Sequence, residues 1–272
     1  MKRAILLAAY GAVSSEARQA LASFDASARA RFPGYAVRWA YTSPALRERI
    51  ARDRRKSDSV RKAILRLAFE GFGLVAVQPL HAIAGREYSL VARGAAEAAR
   101  CGGMAFRLGR PLLAGEADQA RAACALVRHL PEKRESFEDV VFMGHGARHD
   151  AQASYVSFAR AVADIDPRVH VGTMSGDAGI EKILPRLGSR KVWLLPLLSV
   201  IGRHASADMA GPAPASWQSR IEAAGHECQP VLQGLACNPG IARIWLDHLE
   251  SALDNGATQP REDCPLSLNV EM

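Results

Sequence analysis

Two histidines that each follow an apolar run are the residues best placed to do chemistry. His145 lies in the segment VVFMGHGA at 140–147, between Gly144 and Gly146, and His204 follows Gly202 and Arg203. Imidazole is a good ligand for borderline divalent metals such as Co²⁺, Ni²⁺, Fe²⁺ and Zn²⁺, and it accepts protons near neutral pH. We therefore expect a metal site in which His145 also serves as a general base. The alternative for either residue is a histidine that holds a turn through the backbone.

A carboxylate and a tyrosine occupy matching positions earlier in the chain. Tyr10 and Gly11 end the first apolar run as His145 and Gly146 end a later one, and Glu87 follows Gly85 as His204 follows Gly202. A carboxylate beside two imidazoles makes a competent site for a divalent metal. The spacing therefore predicts two pairs of equivalent positions, Tyr10 with His145 and Glu87 with His204.

The elements that would position these residues alternate along the chain. Short apolar runs alternate with longer amphipathic segments, which predicts parallel βαβ units with helices on both faces of a sheet. Strands are predicted at 4–10, 35–41, 73–79, 104–109, 139–144, 168–173, 191–197 and 228–232. Helices are predicted at 14–32, 44–70, 86–100, 115–130, 148–164, 177–188, 212–225 and 239–254.

The eight predicted strands form two similar sets of four. The third strand of each set carries Pro-Leu, followed four residues later by Gly-Arg, at 79–86 and again at 196–203. Matching strand ends at 7–12 and 142–147 occur in the same order, which indicates a duplicated unit. We expect an α/β fold of two domains, 1–133 and 138–272, of which the second carries both histidines. Because ligands bind beyond the carboxyl ends of parallel strands, all four candidate residues should approach one cleft between the halves.

Composition limits the class of partner. The formal net charge is +7, which favours an anionic ligand. The basic stretch at 47–66 is interleaved with acidic residues and lacks aromatic side chains, so it is expected to be a solvated helix face rather than a nucleic-acid surface. The apolar run at 4–12 could be a short signal peptide, but a buried first strand fits it better, and no run reaches the roughly 20 residues of a membrane span. Five scattered cysteines with no CxxC pair favour a reducing cytoplasm.

Several enzyme classes lack their motifs in this sequence. There is no GxxxxGK[ST], no GxGxxG after the first strand and no GxSxG. The first absence argues against a reaction driven by a nucleotide, and the second argues against a dinucleotide cofactor. The third argues against the nucleophile of an α/β-hydrolase.

The chain resembles the anaerobic sirohydrochlorin cobaltochelatases of the CbiK type, which are class II tetrapyrrole chelatases. The resemblance runs from the first strand to about 254 and is most specific at 140–147, 196–210, 216–217, 234–235, 238–239 and 241–243. It implies two flavodoxin-like halves around a tetrapyrrole cleft, ATP-independent insertion of Co²⁺ in cobalamin biosynthesis, metal ligands at His145 and His204, and a catalytic acidic residue at Glu87. Residues expected to contact the anionic tetrapyrrole are Tyr10, Gly11, His81, Arg86, Gly146 and Arg203, with Arg148 as a further arginine for its carboxylates.

One position departs from the family pattern. The family usually has a metal-binding glutamate after the second strand of the second half, where this chain has Ser175. Either Asp177 or Glu87 supplies the carboxylate, or fewer protein ligands hold the metal. The departure leaves two alternatives open: a non-catalytic binder of metal or tetrapyrrole, and a related chelatase for nickel or iron. A homo-oligomer also remains possible.

Overall fold

The computed structural model describes residues 1–147 and 150–254, which form two parallel sheets of four strands each. In the first sheet the strands are ordered β2-β1-β3-β4. Its strands are β1 (Lys2–Ala9), β2 (Ala36–Tyr41), β3 (Phe72–Pro79) and β4 (Ala105–Leu108). The helices that follow them are α1 (Ser15–Arg31), α2 (Pro44–Arg52), α3 (Val60–Phe69), α4 (Arg86–Cys101) and α5 (Glu116–Arg128).

The second sheet repeats this order with its own strands, as β6-β5-β7-β8. Its strands are β5 (Asp139–Gly144), β6 (Val169–Thr173), β7 (Lys191–Leu197) and β8 (Glu227–Pro230). Its helices are α6 (Asp150–Ile165), α7 (Trp217–Ala223) and α8 (Pro239–Asp254). The identical strand order places Glu87 and His204 at equivalent points, each just after the third strand of its sheet.

The central strands β1 and β5 are apolar from Ala4 and from Val140 onwards, because helices cover both faces of each sheet. Six consecutive residues of β1 and all six of β5 are buried, the pattern expected of a strand with no solvated face. The helices begin where short polar side chains cap them. In α1, for example, Ser14 accepts a hydrogen bond from the backbone N–H of Ala17 at 3.1 Å.

The two halves share one hydrophobic core. Helix α8 leaves the second sheet and packs against β3 and β4 of the first, while α5 packs against α6. Phe24 of α1 meets Trp245 of α8 edge to face, with ring centroids 6.0 Å apart. The Ser199 hydroxyl, after β7, donates to the carbonyl of Leu80, after β3, so the carboxyl edges of the two sheets adjoin. The division into domains at 133 and 138 remains a prediction.

All eight strands lie within two residues of their predicted bounds, but three helices differ. The helix predicted at 44–70 is broken between α2 and α3, and α7 is shorter than the segment predicted at 212–225. At 177–188 the chain forms only two 3₁₀ turns, Ile180–Lys182 and Leu184–Arg186, because Gly179, Pro185 and Gly188 interrupt any longer helix. The predicted tail after 256 lies outside the described residues.

Candidate metal site

Both candidate histidines lie at the carboxyl edge of the second sheet. His145 follows β5 directly, and His204 begins a π-helical turn, His204–Met209, after the neighbouring strand β7. Their ring centroids are 5.1 Å apart and the planes meet at 81°. Adjacent parallel strands have thus brought together two side chains 59 positions apart in the sequence. A π-helical turn is rare and is frequently found at functional sites.

Hydrogen bonds orient both imidazoles in the same way. Nδ1 of His145 lies 3.3 Å from the Gly146 carbonyl oxygen, and Nδ1 of His204 lies 2.6 Å from Oδ2 of Asp208. Carbonyl and carboxylate oxygens only accept, so each neutral ring donates from Nδ1 and keeps its lone pair on Nε2. A metal-binding histidine usually gives its second N–H to such a partner. Both rings are therefore prepared to bind an ion through Nε2.

The loop that carries His145 is fixed against the end of β6. Gly146 has φ of +84°, and a Cβ atom there would lie 2.2 Å from the Ser175 carbonyl oxygen, so only glycine fits. The backbone N–H and the hydroxyl of Ser175 both donate to the His145 carbonyl, at 3.2 and 2.9 Å. The Ser175 carbonyl accepts in turn from the Thr173 hydroxyl at 2.8 Å. These contacts hold His145 in place while leaving its ring exposed.

An open cavity of about 470 Å³ lies in front of the two histidines. Trp217 forms part of its wall and is itself buried, with its helix α7 capped by Ser216. Glu181 and Arg220 also line it and form an ion pair with each other. The cavity is lined by His145, Thr173, Met174, Ser175, Gly179, Ile180, Glu181, His204, Asp208, Ala215, Trp217 and Arg220.

His145, His204 and Ser175 come together at this cavity, whereas Gly146 and Arg203 of the same half do not line it. None of the first-half candidates lines this cavity, and neither does Asp177. Tyr10 is 48% exposed after β1, and Arg86 and Glu87 lie in the first turn of α4. Arg203 is exposed and directly precedes the π-helical turn. Arg148 lies outside the described residues.

His81, after β3, combines an ordered backbone with an unpaired ring. Its carbonyl accepts from the backbone N–H of Leu112 at 2.9 Å, but both ring nitrogens are buried without a hydrogen-bond partner among the described residues. Burial lowers the pKa of His81 to about 4, so the ring is neutral at pH 7. The residue as a whole is partly exposed, so carbon and main-chain atoms account for its accessible surface.

The residues of the cavity that sequence reasoning missed include Asp208, Glu181, Arg220 and Trp217. Asp208 had a usable signal, because a carboxylate four positions after a histidine meets it on a helix. Glu181 and Arg220 had none, since they lie 39 positions apart on different elements. Within residues 1–147 and 150–254, no three His, Cys, Asp or Glu side chains are grouped as metal ligands. The cavity thus offers two imidazoles, with Asp208 bound to one of them.

Comparison with related sequences identifies the family of the chain. The family model for the cobalt chelatase (CbiK) matches residues 3–254. The chain belongs to the cobalt chelatase (CbiK) family. It is 51% identical to the sirohydrochlorin cobaltochelatase CbiKC of Nitratidesulfovibrio vulgaris, over 93% of this chain and 91% of that protein. It is 32% identical to the sirohydrochlorin cobaltochelatase of Salmonella typhimurium, over 93% of this chain and 97% of the relative.

Solved chelatase structures share the fold of this family member. The sirohydrochlorin chelatase SirB of Bacillus subtilis, in complex with cobalt, superposes with a TM-score of 0.62 at 16% identity, covering 94% of this chain and 97% of SirB. CbiX, described as the terminal enzyme of siroheme biosynthesis in denitrifying bacteria, gives a TM-score of 0.59 at 16% identity, covering 92% of this chain and 99% of CbiX. At this identity the likeness concerns the fold. No helix in the described part of the chain is long and apolar enough to cross a membrane.

Proposed function

We propose that this chain inserts Co²⁺ into sirohydrochlorin, or a similar tetrapyrrole, without ATP, as a step of cobalamin biosynthesis. The observation that carries the proposal is the His145–His204 pair, whose ring centroids lie 5.1 Å apart and whose Nδ1 atoms each meet an oxygen acceptor, so that Nε2 of each neutral ring carries the lone pair. The 51% identical relative is named as a sirohydrochlorin cobaltochelatase, which supports this substrate and this metal. The lack of a phosphate-binding GxxxxGK[ST] motif supports independence from ATP.

Metal insertion requires the ion to exchange its ligands for ring nitrogens while two pyrrole N–H protons leave. His145 and His204 hold the incoming ion through Nε2 and replace part of its water shell. A single lone pair cannot bind the ion and a proton at once. As the ion passes to the macrocycle, Nε2 of His145 is freed and accepts one pyrrole proton. Glu87, at the facing edge of the first sheet, takes up or relays protons from the other side.

The carboxylates of the tetrapyrrole are bound around the cleft between the two sheet edges. Tyr10, Gly11, His81 and Arg86 contribute from the first half, and Gly146 and Arg203 from the second. Arg86 and Arg203 are both exposed, so their guanidinium groups can reach an anionic ligand. The net charge of +7 supports an anionic substrate rather than a neutral one.

The chief alternative is a protein that binds metal or tetrapyrrole without turnover. Ser175 supports it, because a serine stands where the family usually has a metal-binding glutamate, and no three ligating side chains are grouped in the described residues. Nickel or iron remains a second candidate metal, since imidazole sites follow a general affinity order and selectivity often depends on supply. A cytoplasmic location is part of the proposal and is supported by the scattered cysteines, of which four in the described residues are free thiols.

An insertion assay with purified protein tests the proposal. The protein is stripped of metal with EDTA and mixed anaerobically with sirohydrochlorin and Co²⁺, Ni²⁺ or Fe²⁺ in the absence of ATP. The absorbance change on metal entry gives the initial rate. We expect a rate with Co²⁺ well above the rate without protein and above those with the other metals. Tight binding of sirohydrochlorin with no acceleration would support the non-catalytic alternative.

A further inference from the structure

The cavity in front of the two histidines also holds a carboxylate that orients neither of them. Two acidic side chains, Asp208 and Glu181, are among the described residues that line it. Asp208 accepts the Nδ1–H of His204 at 2.6 Å and is thereby engaged. The Glu181 carboxylate instead forms an ion pair with Arg220, the only arginine or lysine among the described lining residues. Glu181 is therefore the lining carboxylate that is available to a metal ion.

The backbone holds Glu181 at the wall of the cavity. After β6 the chain folds back onto the strand end, where the carbonyl of Ala178 accepts from the backbone N–H of Thr173 at 2.8 Å. The 3₁₀ turn that carries Glu181 follows directly. Gly172 lets this turn and α7 approach β6 closely, because a Cβ atom there would lie 2.9 Å from both the Ala178 carbonyl oxygen and the Trp217 ring. The two elements that carry the ion pair are thus packed against the same strand end.

The ion pair itself can open at little cost. The side chains of Glu181 and Arg220 are 59% and 38% exposed. An ion pair with this much exposure changes an equilibrium about fivefold at most. Exposed side chains also change rotamer within nanoseconds. A divalent ion can therefore draw the carboxylate away from Arg220, and such a movement is needed, because no three ligating side chains are grouped within residues 1–147 and 150–254.

The two imidazoles alone make an incomplete site for a divalent ion. Both rings are neutral when they bind, so they leave the charge of the ion unbalanced. Zinc sites with two histidines and one glutamate show that a carboxylate completes such a pair. Ser175 also lines the cavity, but its hydroxyl donates to the His145 carbonyl. The chemistry of the site thus favours one more oxygen ligand, and Glu181 carries it.

We propose that Glu181 is the third protein ligand of the incoming ion and that Arg220 is its exchange partner. The proposal rests on the proposed function and concerns how the same site loads and releases its ion. Before the ion binds, Glu181 pairs with Arg220, and on binding the carboxylate joins Nε2 of His145 and of His204. As the ion passes to the macrocycle, Arg220 takes the carboxylate back. Because Arg220 competes for Glu181, a carboxylate added at Ser175 should still strengthen binding.

Titration of the metal-free protein with Co²⁺ alone, followed by its visible absorption, measures both roles. The variants are Glu181→Gln, Arg220→Met and the two combined, with Glu222→Gln and Arg190→Met as controls. Glu222 lies on α7 and Arg190 just before β7, and both are exposed and outside the cavity lining. We expect the dissociation constant to rise about two- to fivefold in Glu181→Gln and to fall about two- to fivefold in Arg220→Met. The combined variant should match Glu181→Gln, and the controls should match wild type.

The rate of insertion at saturating Co²⁺ separates ligand exchange from a merely structural role. We expect Arg220→Met to bind Co²⁺ more tightly and yet to insert it about two- to fivefold more slowly, because the carboxylate then has no second partner as the ion leaves. Damage to the fold would instead weaken binding and slow insertion together. Tighter binding with an unchanged or faster rate would overturn the role of Arg220 in release.

The titrations distinguish failure of this exchange from failure of the proposed function. Equal tightening by Arg220→Met with and without the Glu181 carboxylate would refute the exchange and leave a general effect of charge. Matching affinities of Glu181→Gln and Glu222→Gln would show that Glu181 does not bind the ion. In both cases the proposed function stands if wild type inserts cobalt. If wild type inserts none, the proposed function fails, while the titrations still decide whether Glu181 is a ligand.

Discussion

Removing the Asp208 carboxylate should weaken metal binding through His204. Nδ1 of His204 donates to Oδ2 of Asp208 at 2.6 Å, and this bond keeps the lone pair on Nε2. Losing such a partner of a metal-binding histidine typically costs about 10- to 100-fold in affinity. The side chains of His204 and Asp208 are 41% and 48% exposed, so water can partly replace the lost acceptor. We therefore expect Asp208→Ala to bind Co²⁺ about 10-fold more weakly, a loss of about 1.4 kcal/mol, which is the lower end of that range.

Titration with Co²⁺, followed by its visible absorption, measures this effect. Asp208→Asn should lose less than Asp208→Ala, because the amide oxygen still accepts from Nδ1 but carries no charge. The control is Asp164→Ala, which removes an exposed carboxylate from α6 in the same half. Equal affinities of Asp208→Ala and Asp164→Ala for Co²⁺ would refute the orienting role of Asp208.

Three further variants test the geometry of the site and the fold that supports it. Ser175→Glu should bind Co²⁺ about 10-fold more tightly in a direct titration, because it adds a carboxylate to the cavity that both histidines line. Unchanged or weaker binding would show that another group already supplies the carboxylate ligand. Gly146→Ala should lower both stability and Co²⁺ affinity. The control is Gly103→Ala, where φ is +64° and no atom lies within 4 Å of the new Cβ, so this variant should lose only about 1–2 kcal/mol of stability through backbone strain. Equal losses of stability in urea unfolding would contradict the close contact between Gly146 and Ser175. Burial alone would raise the pKa of Asp139, but hydrogen bonds from the backbone N–H groups of Ser189 and Gly188 outweigh burial and lower that pKa below its usual 3.8. Asp139→Asn should therefore lower the free energy of unfolding by about 2–3 kcal/mol at pH 7, and by progressively less as the pH falls below 3.8. A difference in stability that does not depend on pH would contradict this prediction.

The lowered pKa of Asp139 sets the direction of that dependence. A carboxyl group whose pKa is lower in the folded than in the unfolded state binds fewer protons when folded. Its stabilising contribution is therefore complete above the unfolded pKa. It is lost as the pH falls from the unfolded pKa through the lower folded pKa, and the pH-dependent difference between wild type and Asp139→Asn disappears below the folded pKa.

The sheet framework could be read from the sequence because burial on both faces leaves a clear pattern. Runs such as 4–9 and 140–144 contain no polar side chain, and the repeated Pro-Leu and Gly-Arg spacing identified equivalent loops. The same reasoning brought His145 and His204 to one edge, since both follow neighbouring parallel strands. The family expected from these residues was confirmed by the match over 3–254.

Features that depend on side-chain contacts between distant elements could not be read in this way. The return of α8 to the first sheet leaves no local signal, because an amphipathic helix does not specify which sheet it covers. The Glu181–Arg220 ion pair joins a 3₁₀ turn to α7, and each residue alone looks like surface charge. The roles of Glu87, Tyr10 and the other first-half residues stay predictions, since their contacts with a substrate depend on how a macrocycle fills the cleft.

The rate of cobalt insertion by histidine variants tests the central claim most directly. Sirohydrochlorin and Co²⁺ are mixed with wild type, His145→Ala or His204→Ala in the absence of ATP, over a range of Co²⁺ concentrations. We expect His145→Ala to lose a ligand and a base and to fall at least about 10²–10⁴-fold, close to the uncatalysed rate, at every concentration. His204→Ala should lose chiefly a ligand and recover measurable activity when Co²⁺ is raised. Rescue of His145→Ala but not His204→Ala by excess Co²⁺ would reverse the two roles, and full activity in both variants would contradict the site itself.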